Sequence, residues 1–158
     1  MKFQNLKIQD AFIINLDLLV DERGFFSRTF CKKEFKSHGL NPNLVQCNIT
    51  FNKNKGTLRG MHYQSKPLEE AKLVRVISGA IYDVLLDVRP DSLTFKNWIS
   101  VNLTASDRKL LYVPEGVAHG YQTLVKNTEV FYQMSEFYKP DYTNGIRWND
   151  PTFNIKWP

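Results

Sequence analysis

From residue 57 onward the chain alternates apolar and polar positions in short runs separated by turn residues, the pattern of strands that turn one face to a core. Runs near 57–64, 72–77, 80–88, 97–103, 109–113, 118–124 and 128–137 predict strands. The clearest places Tyr82, Val84, Leu86 and Val88 on one face and Asp83, Leu85 and Asp87 on the other, so its polar face carries two carboxylates. Ser78-Gly79 before it predicts a tight hairpin turn. Trp98, Ser100 and Asn102 alternate with Ile99, Val101 and Leu103, and Ala105-Ser106-Asp107 then breaks the run before Leu110 to Val113. Pro114-Glu115-Gly116 predicts a further turn. The first half predicts one short helix, Cys31 to His38, anchored by Phe35 and closed by Gly39. Short strands spaced by roughly 8–12 residues predict an all-β sandwich or barrel, and a jelly roll is one way such a chain protects its edges.

Composition narrows this to one folded unit. The 158 residues are 42% hydrophobic and 23% charged, with no internal repeat, low-complexity tract or linker, so residues 1–158 are expected to form a single domain. No run approaches a membrane span, and the amino terminus MKFQNLKIQDAF lacks a signal-peptide core, which sets a cytoplasmic expectation. Cys31 and Cys47 are too few for a disulfide scaffold and are expected to be reduced. The 21 Lys+Arg against 16 Asp+Glu give +5, which admits an anionic ligand. Nucleic acid is disfavoured, because basic residues are interleaved with acids, as in ERGFFSRTFCKKEFK, and no nucleic-acid-binding motif is present.

Three histidines remain as candidate chemistry. His38, at the end of the short helix, fits a surface role in which the helix dipole favours a cation. His119 closes Pro114-Glu115-Gly116-Val117-Ala118-His119, the P-x-G-x-x-H form of the second cupin motif. The first cupin motif would supply H-x-H and a Glu for a metal; here it reads His62-Tyr63-Gln64, so the second ligand is gone and a metal-free pocket is expected.

DERGFFSRTF (21–30), VQCN (45–48), GTLRGMHYQ (56–64), KLVRVISGAIYDVLLDVR (72–89), LYVPEGVAHGYQTL (111–124), and FYKP, GIRWNDP and IKWP within 137–158 run in order through nearly the whole chain. Together they resemble the dTDP-4-dehydrorhamnose 3,5-epimerase family of sugar-nucleotide epimerases. The resemblance implies a homodimeric cupin-type jelly roll with minor helices, no metal and no nicotinamide, serving deoxysugar and polysaccharide biosynthesis. Its substrate would be a nucleoside-diphosphate 4-keto-6-deoxy sugar, whose C3 and C5 hydrogens flank the C4 ketone. Removing either hydrogen makes an enolate, which needs a base on one face, an acid on the other and a donor at the oxygen. By resemblance His62 is the base, Tyr132 the acid and Lys72 the cation near the C4 oxygen. His119 and Asp83 resemble a supporting histidine–aspartate pair, Arg23 and Arg59 the diphosphate contacts, Gln46 and Asn48 polar contacts to the ligand, and Tyr138 the aromatic that stacks on the base.

Three positions depart from the family. A glutamate near the nucleotide base falls on Arg28, which reverses the charge and raises a CDP- or GDP-linked sugar as an alternative to dTDP. A second glutamate falls on Thr143. The chain ends at Trp157-Pro158, short of the tail whose aspartate orients the base histidine, so either another carboxylate or a water orients His62 or the base is weaker and epimerisation slower or confined to one centre; retained but modified activity is expected. A ketoisomerase of the same fold and a non-catalytic cupin binding module are the competing readings. The apolar segment Ala11 to Leu19 is expected to form the edge through which the dimer exchanges strands.

Overall fold

In the computed structural model, which describes all 158 residues, almost every regular segment is a strand. In chain order these are β1 (Lys2–Asn5), β2 (Phe12–Asn15), β3 (Leu19–Asp21), β4 (Gly24–Phe26), β5 (Gln46–Asn52), β6 (Leu58–Gln64) and β7 (Lys72–Ser78). They continue with β8 (Ala80–Asp87), β9 (Trp98–Thr104), β10 (Leu110–Val113), β11 (Val117–Thr123), β12 (Thr128–Met134) and β13 (Thr143–Gly145). The only α-helix, α1, spans Lys32–Ser37. The strands expected from residue 57 onward all form, within a few residues of their predicted ends.

Two antiparallel sheets make the body. One has six strands in the order β1-β2-β10-β7-β12-β5, the other five in the order β13-β6-β11-β8-β9. Inward-facing Val74, Val76, Ile81, Leu85, Val117 and Val130 belong to the apolar cluster between them. Each sheet also has its outer face covered. Phe35 of α1 packs with Ile14, Leu73, Leu110 and Tyr112 on the six-stranded sheet, a burial worth about 2 kcal/mol. Gly39 ends α1 with φ near +73°, and the N–H of Leu40 bonds back to the Phe35 carbonyl. On the five-stranded sheet, Ile155, Phe153 and Trp157 of the C-terminal segment cover Val84 and Leu86, and Trp98 Nε1 donates to the Phe153 carbonyl at 2.9 Å.

Two sequence expectations are corrected here. Ser78-Gly79 is no hairpin turn: β7 pairs with β10 and β12, β8 with β11 and β9, so the dipeptide carries the chain from one sheet to the other. Gly79, at φ +82°, supplies the left-handed corner. The segment Ala11 to Leu19 is not a free edge either, since its strand β2 is paired on both sides, by β1 and β10. The edges of the six-stranded sheet are β1 and β5.

The two carboxylates of β8 face inward and are fully buried. Asp87 accepts from Arg89, Ser92 and Thr94. Burial opposes its ionisation, but these donors outweigh it and hold its pKa at about 2. His38 stays on the surface, stacked on Phe3 with ring centroids 3.9 Å apart.

Candidate active site

Between the sheets, beyond the apolar cluster, lies a cavity of about 590 Å³. Its polar character starts with β5, where Gln46, Asn48, Thr50 and Asn52 share the inward face while Cys47, Ile49 and Phe51 face solvent. On the opposite wall β6 and β11 lie unusually close. A Cβ on Gly60 would stand 2.8 Å from the His119 carbonyl oxygen, and one on Gly120 would stand 2.9 Å from the Arg59 carbonyl oxygen. Only two glycines allow that approach, and the register shifts between His119 and Tyr121. His62 and His119 face each other as cross-strand neighbours.

His62, Lys72, His119, Tyr132, Arg59 and Tyr138 all line this cavity. The imidazole of His62 comes from one sheet and the phenol of Tyr132 from the other. Asp83 stands behind His119, with Oδ1 2.8 Å from the ring Nε2, off the line of a well-directed hydrogen bond. Burial pushes the Asp83 carboxyl upward, against the pull of His119. Gln46 accepts the Tyr138 backbone N–H at 3.1 Å and donates to Asn48 at 3.3 Å, so these two residues brace the mouth without lining the cavity.

Arg23 and Arg28 are not brought to this cavity. Arg23 sits between β3 and β4 and pairs with Asp21. Arg28 pairs with Glu34 of α1 at 3.3 Å.

The electrostatics favour a neutral imidazole facing a protonated phenol. Burial lowers the His62 pKa, Lys72 and His119 lower it further, and Glu70 opposes them. The His62 ring has no hydrogen-bond partner within the chain. Burial raises the Tyr132 phenol above its ordinary value of 10.0, with Tyr121 adding to the effect. Lys72 is buried, its ammonium 2.8 Å from Glu70 and donating to the His62 carbonyl at 3.3 Å. Glu70 also accepts the Gln64 backbone N–H at 2.9 Å, which ties the ammonium to β6. No group of three His, Cys, Asp or Glu side chains is gathered to hold a metal ion.

Sequence reasoning passed over several cavity groups. Glu70 lies two residues before Lys72, and on an extended chain that spacing puts both on one face. The inward period of β5 would have pointed to Thr50 in the cavity and to Asn52 behind it, which accepts from Arg59. Tyr121, whose hydroxyl lies 2.8 Å from Thr50 Oγ1, sits two residues beyond His119 on the same strand. Thr143, the position without its expected charge, lines the cavity on β13.

Two antiparallel sheets enclosing a polar pocket define a cupin-like jelly roll whose pocket is equipped for proton transfer. The chain belongs to the dTDP-4-dehydrorhamnose 3,5-epimerase family, whose sequence profile matches residues 5–158. The dTDP-4-dehydrorhamnose 3,5-epimerase of Shigella flexneri is 40% identical over 153 residues, spanning 96% of this chain and 84% of that protein. The crystal structure of the Bacillus anthracis enzyme of the same name, with TDP and PPi bound, superposes with a TM-score of 0.94 at 41% identity, over 99% of this chain and 90% of that one. The Legionella pneumophila dTDP-6-deoxy-D-glucose-3,5-epimerase, in complex with dTDP-4-keto-L-rhamnose, superposes with a TM-score of 0.91 at 35% identity, over 99% and 83% of the two chains.

Proposed function

We propose that this protein is an isomerase that inverts C3, C5 or both in a nucleoside-diphosphate 4-keto-6-deoxy sugar of the dTDP-4-dehydro-6-deoxyglucose type. The observation that carries the reading is the placement of His62 and Tyr132 on opposing sheets around one cavity. In the reaction a C–H bond beside the ketone breaks, and its proton goes to the neutral His62 ring. The electron pair becomes the enolate, whose oxygen charge is met by the Lys72 ammonium. The Tyr132 hydroxyl then delivers its proton to the carbon from the opposite face, and exchange with solvent resets both rings. Arg59 would hold the diphosphate and Tyr138 the nucleobase.

The working unit in this proposal is a homodimer. Leu19, Val20 and Phe26 on the β3–β4 hairpin are more than two-thirds exposed, and Ile49 and Phe51 stand out from β5, an apolar surface that calls for a cover. A second copy would bury it and would bring its hairpin, with Arg23 and Arg28, to the nucleotide end of the cavity. The TDP and the dTDP-4-keto-L-rhamnose named for the two structural relatives favour thymine as the base. No helix is long and apolar enough to cross a membrane, and Cys31 and Cys47 are unpaired, which fits a reducing compartment.

The test is incubation with dTDP-4-dehydro-6-deoxyglucose in deuterium oxide. The wild type is expected to incorporate label at C5, C3 or both. His62→Ala and Tyr132→Phe are expected to suppress turnover by at least about a hundredfold, with dTDP affinity nearly unchanged. Label at neither carbon in the wild type would reject the enzyme and leave a binding module, and stronger turnover of matched CDP or GDP sugars would overturn the choice of base.

A further inference from the structure

Arg59 reaches the cavity as an exposed guanidinium with no carboxylate beside it: none of the ion pairs in the chain includes it. Arg23, Arg28 and Arg89 each face an acid; Arg75, Arg108 and Arg147 also lack an ion pair, but of all the arginines only Arg59 lines the cavity. The only protein group that the Arg59 side chain bonds is the side-chain amide of Asn52, whose Oδ1 accepts from Nε at 2.8 Å. Asn52 is itself almost fully buried at 2% exposure. Its Nδ2 donates to the Thr128 carbonyl at 3.1 Å and to the Tyr121 hydroxyl at 3.3 Å. A backbone carbonyl accepts only, so the amide can sit one way round, and its oxygen must face Arg59. The Tyr121 hydroxyl in turn is anchored at Thr50.

From this arrangement we propose that Asn52 is a positioning residue of the anion site, a neutral acceptor locked by Thr128 and Tyr121 that aims Arg59 while leaving its positive charge uncompensated for a diphosphate. A carboxylate in the same place would still accept from Nε, but it would lose the donation to the Thr128 carbonyl and compete with the ligand for the guanidinium charge. An alanine would leave the charge free and the direction undefined. With Nε engaged by Asn52, the two terminal nitrogens bond no protein group, and their fork suits a pair of phosphate oxygens. This role deepens the proposed function, since it concerns how the nucleotide end of the same pocket is held.

The test compares wild type, Asn52→Asp and Asn52→Ala by calorimetric titration with dTDP and with inorganic pyrophosphate, alongside steady-state turnover. Asn52→Asp is expected to weaken dTDP binding about tenfold or more, as added charge at a paired site does, and to raise KM in step while kcat changes less than threefold. Asn52→Ala is expected to fall between it and wild type. Thermal melting identifies variants that fail to fold; if Asn52→Asp does not fold, Asn52→Ala decides alone. Wild-type affinity for dTDP and pyrophosphate in a folded variant would overturn the proposal, and so would a fall in kcat with KM unmoved. Weakened binding in the variants of a wild type that binds dTDP but exchanges no deuterium would instead uphold the role of Asn52 and reject the epimerase.

Discussion

His62 and Tyr132 are displaced from their ordinary pKa values in opposite directions, and by the same physical cause. Burial disfavours the charged form of each, which is the cation for the imidazole and the anion for the phenol. The working range between them therefore widens at both ends. As the proposed base His62 acts when neutral, so activity is expected to fall as pH drops through its pKa, which lies below the ordinary 6.5. As the proposed acid Tyr132 acts when protonated, so activity is expected to fall again as pH rises through its pKa, above the ordinary 10.0. A profile of kcat/KM against pH is expected to be bell-shaped, flat across neutrality, with its acid limb below 6.5; a limb centred well above that value would remove His62 as the base. At this scale His62 stood out in an ordered motif and Tyr132 through the family resemblance alone, and the fold brings both to one cavity. Asn52 did not, because its partner Arg59 lies on another strand that the fold brings alongside, and Glu70, though two residues before Lys72 on the same face, belongs to no motif that marks it.

The wall of the pocket depends on how closely β6 and β11 approach. Gly60 and Gly120 face each other where the two backbones nearly touch, and the resulting shift in register brings Arg59, His62 and His119 to one cavity. In Gly120→Ala the new methyl would meet the Met61 sulfur at 2.7 Å and the Arg59 carbonyl at 2.9 Å. The sulfur can move aside; the backbone carbonyl cannot without spreading the strands. The substitution is expected to cost about 1–3 kcal/mol of stability and to lower kcat as well, read by chemical denaturation and turnover on one preparation. Unchanged values in both would show that the strands have slack. Elements of this kind were unevenly visible in the sequence. β6 to β12 were visible as short runs between turn residues, although β10 is apolar throughout, whereas β1, β2, β3, β4 and β13 have only three or four residues each. In β5 the usual sense is inverted, with polar side chains inward toward the pocket and apolar ones outward.

At the scale of the molecule, that inverted strand and the β3–β4 hairpin leave an apolar surface uncovered on the single chain. Val20 is 75% exposed and Phe26 69%. Sedimentation is expected to find a species of twice 18.4 kDa. The double variant Val20→Asp, Phe26→Asp is expected to shift it to the single-chain mass and to weaken dTDP binding. A wild-type monomer with full activity would remove the dimer from the proposal. Alternation along the chain, turn residues and ordered motifs were enough to establish the all-β class, most strands and the family resemblance, because each is written in neighbouring residues. Alternation tells which side chains share a face but not which strand lies alongside. Only the tertiary structure could send β7 and β8 to different sheets across Ser78-Gly79, pair β2 on both edges, and leave Arg59 beside a neutral amide. Those outcomes were settled by contacts between residues far apart in the chain, where local pattern carries no information.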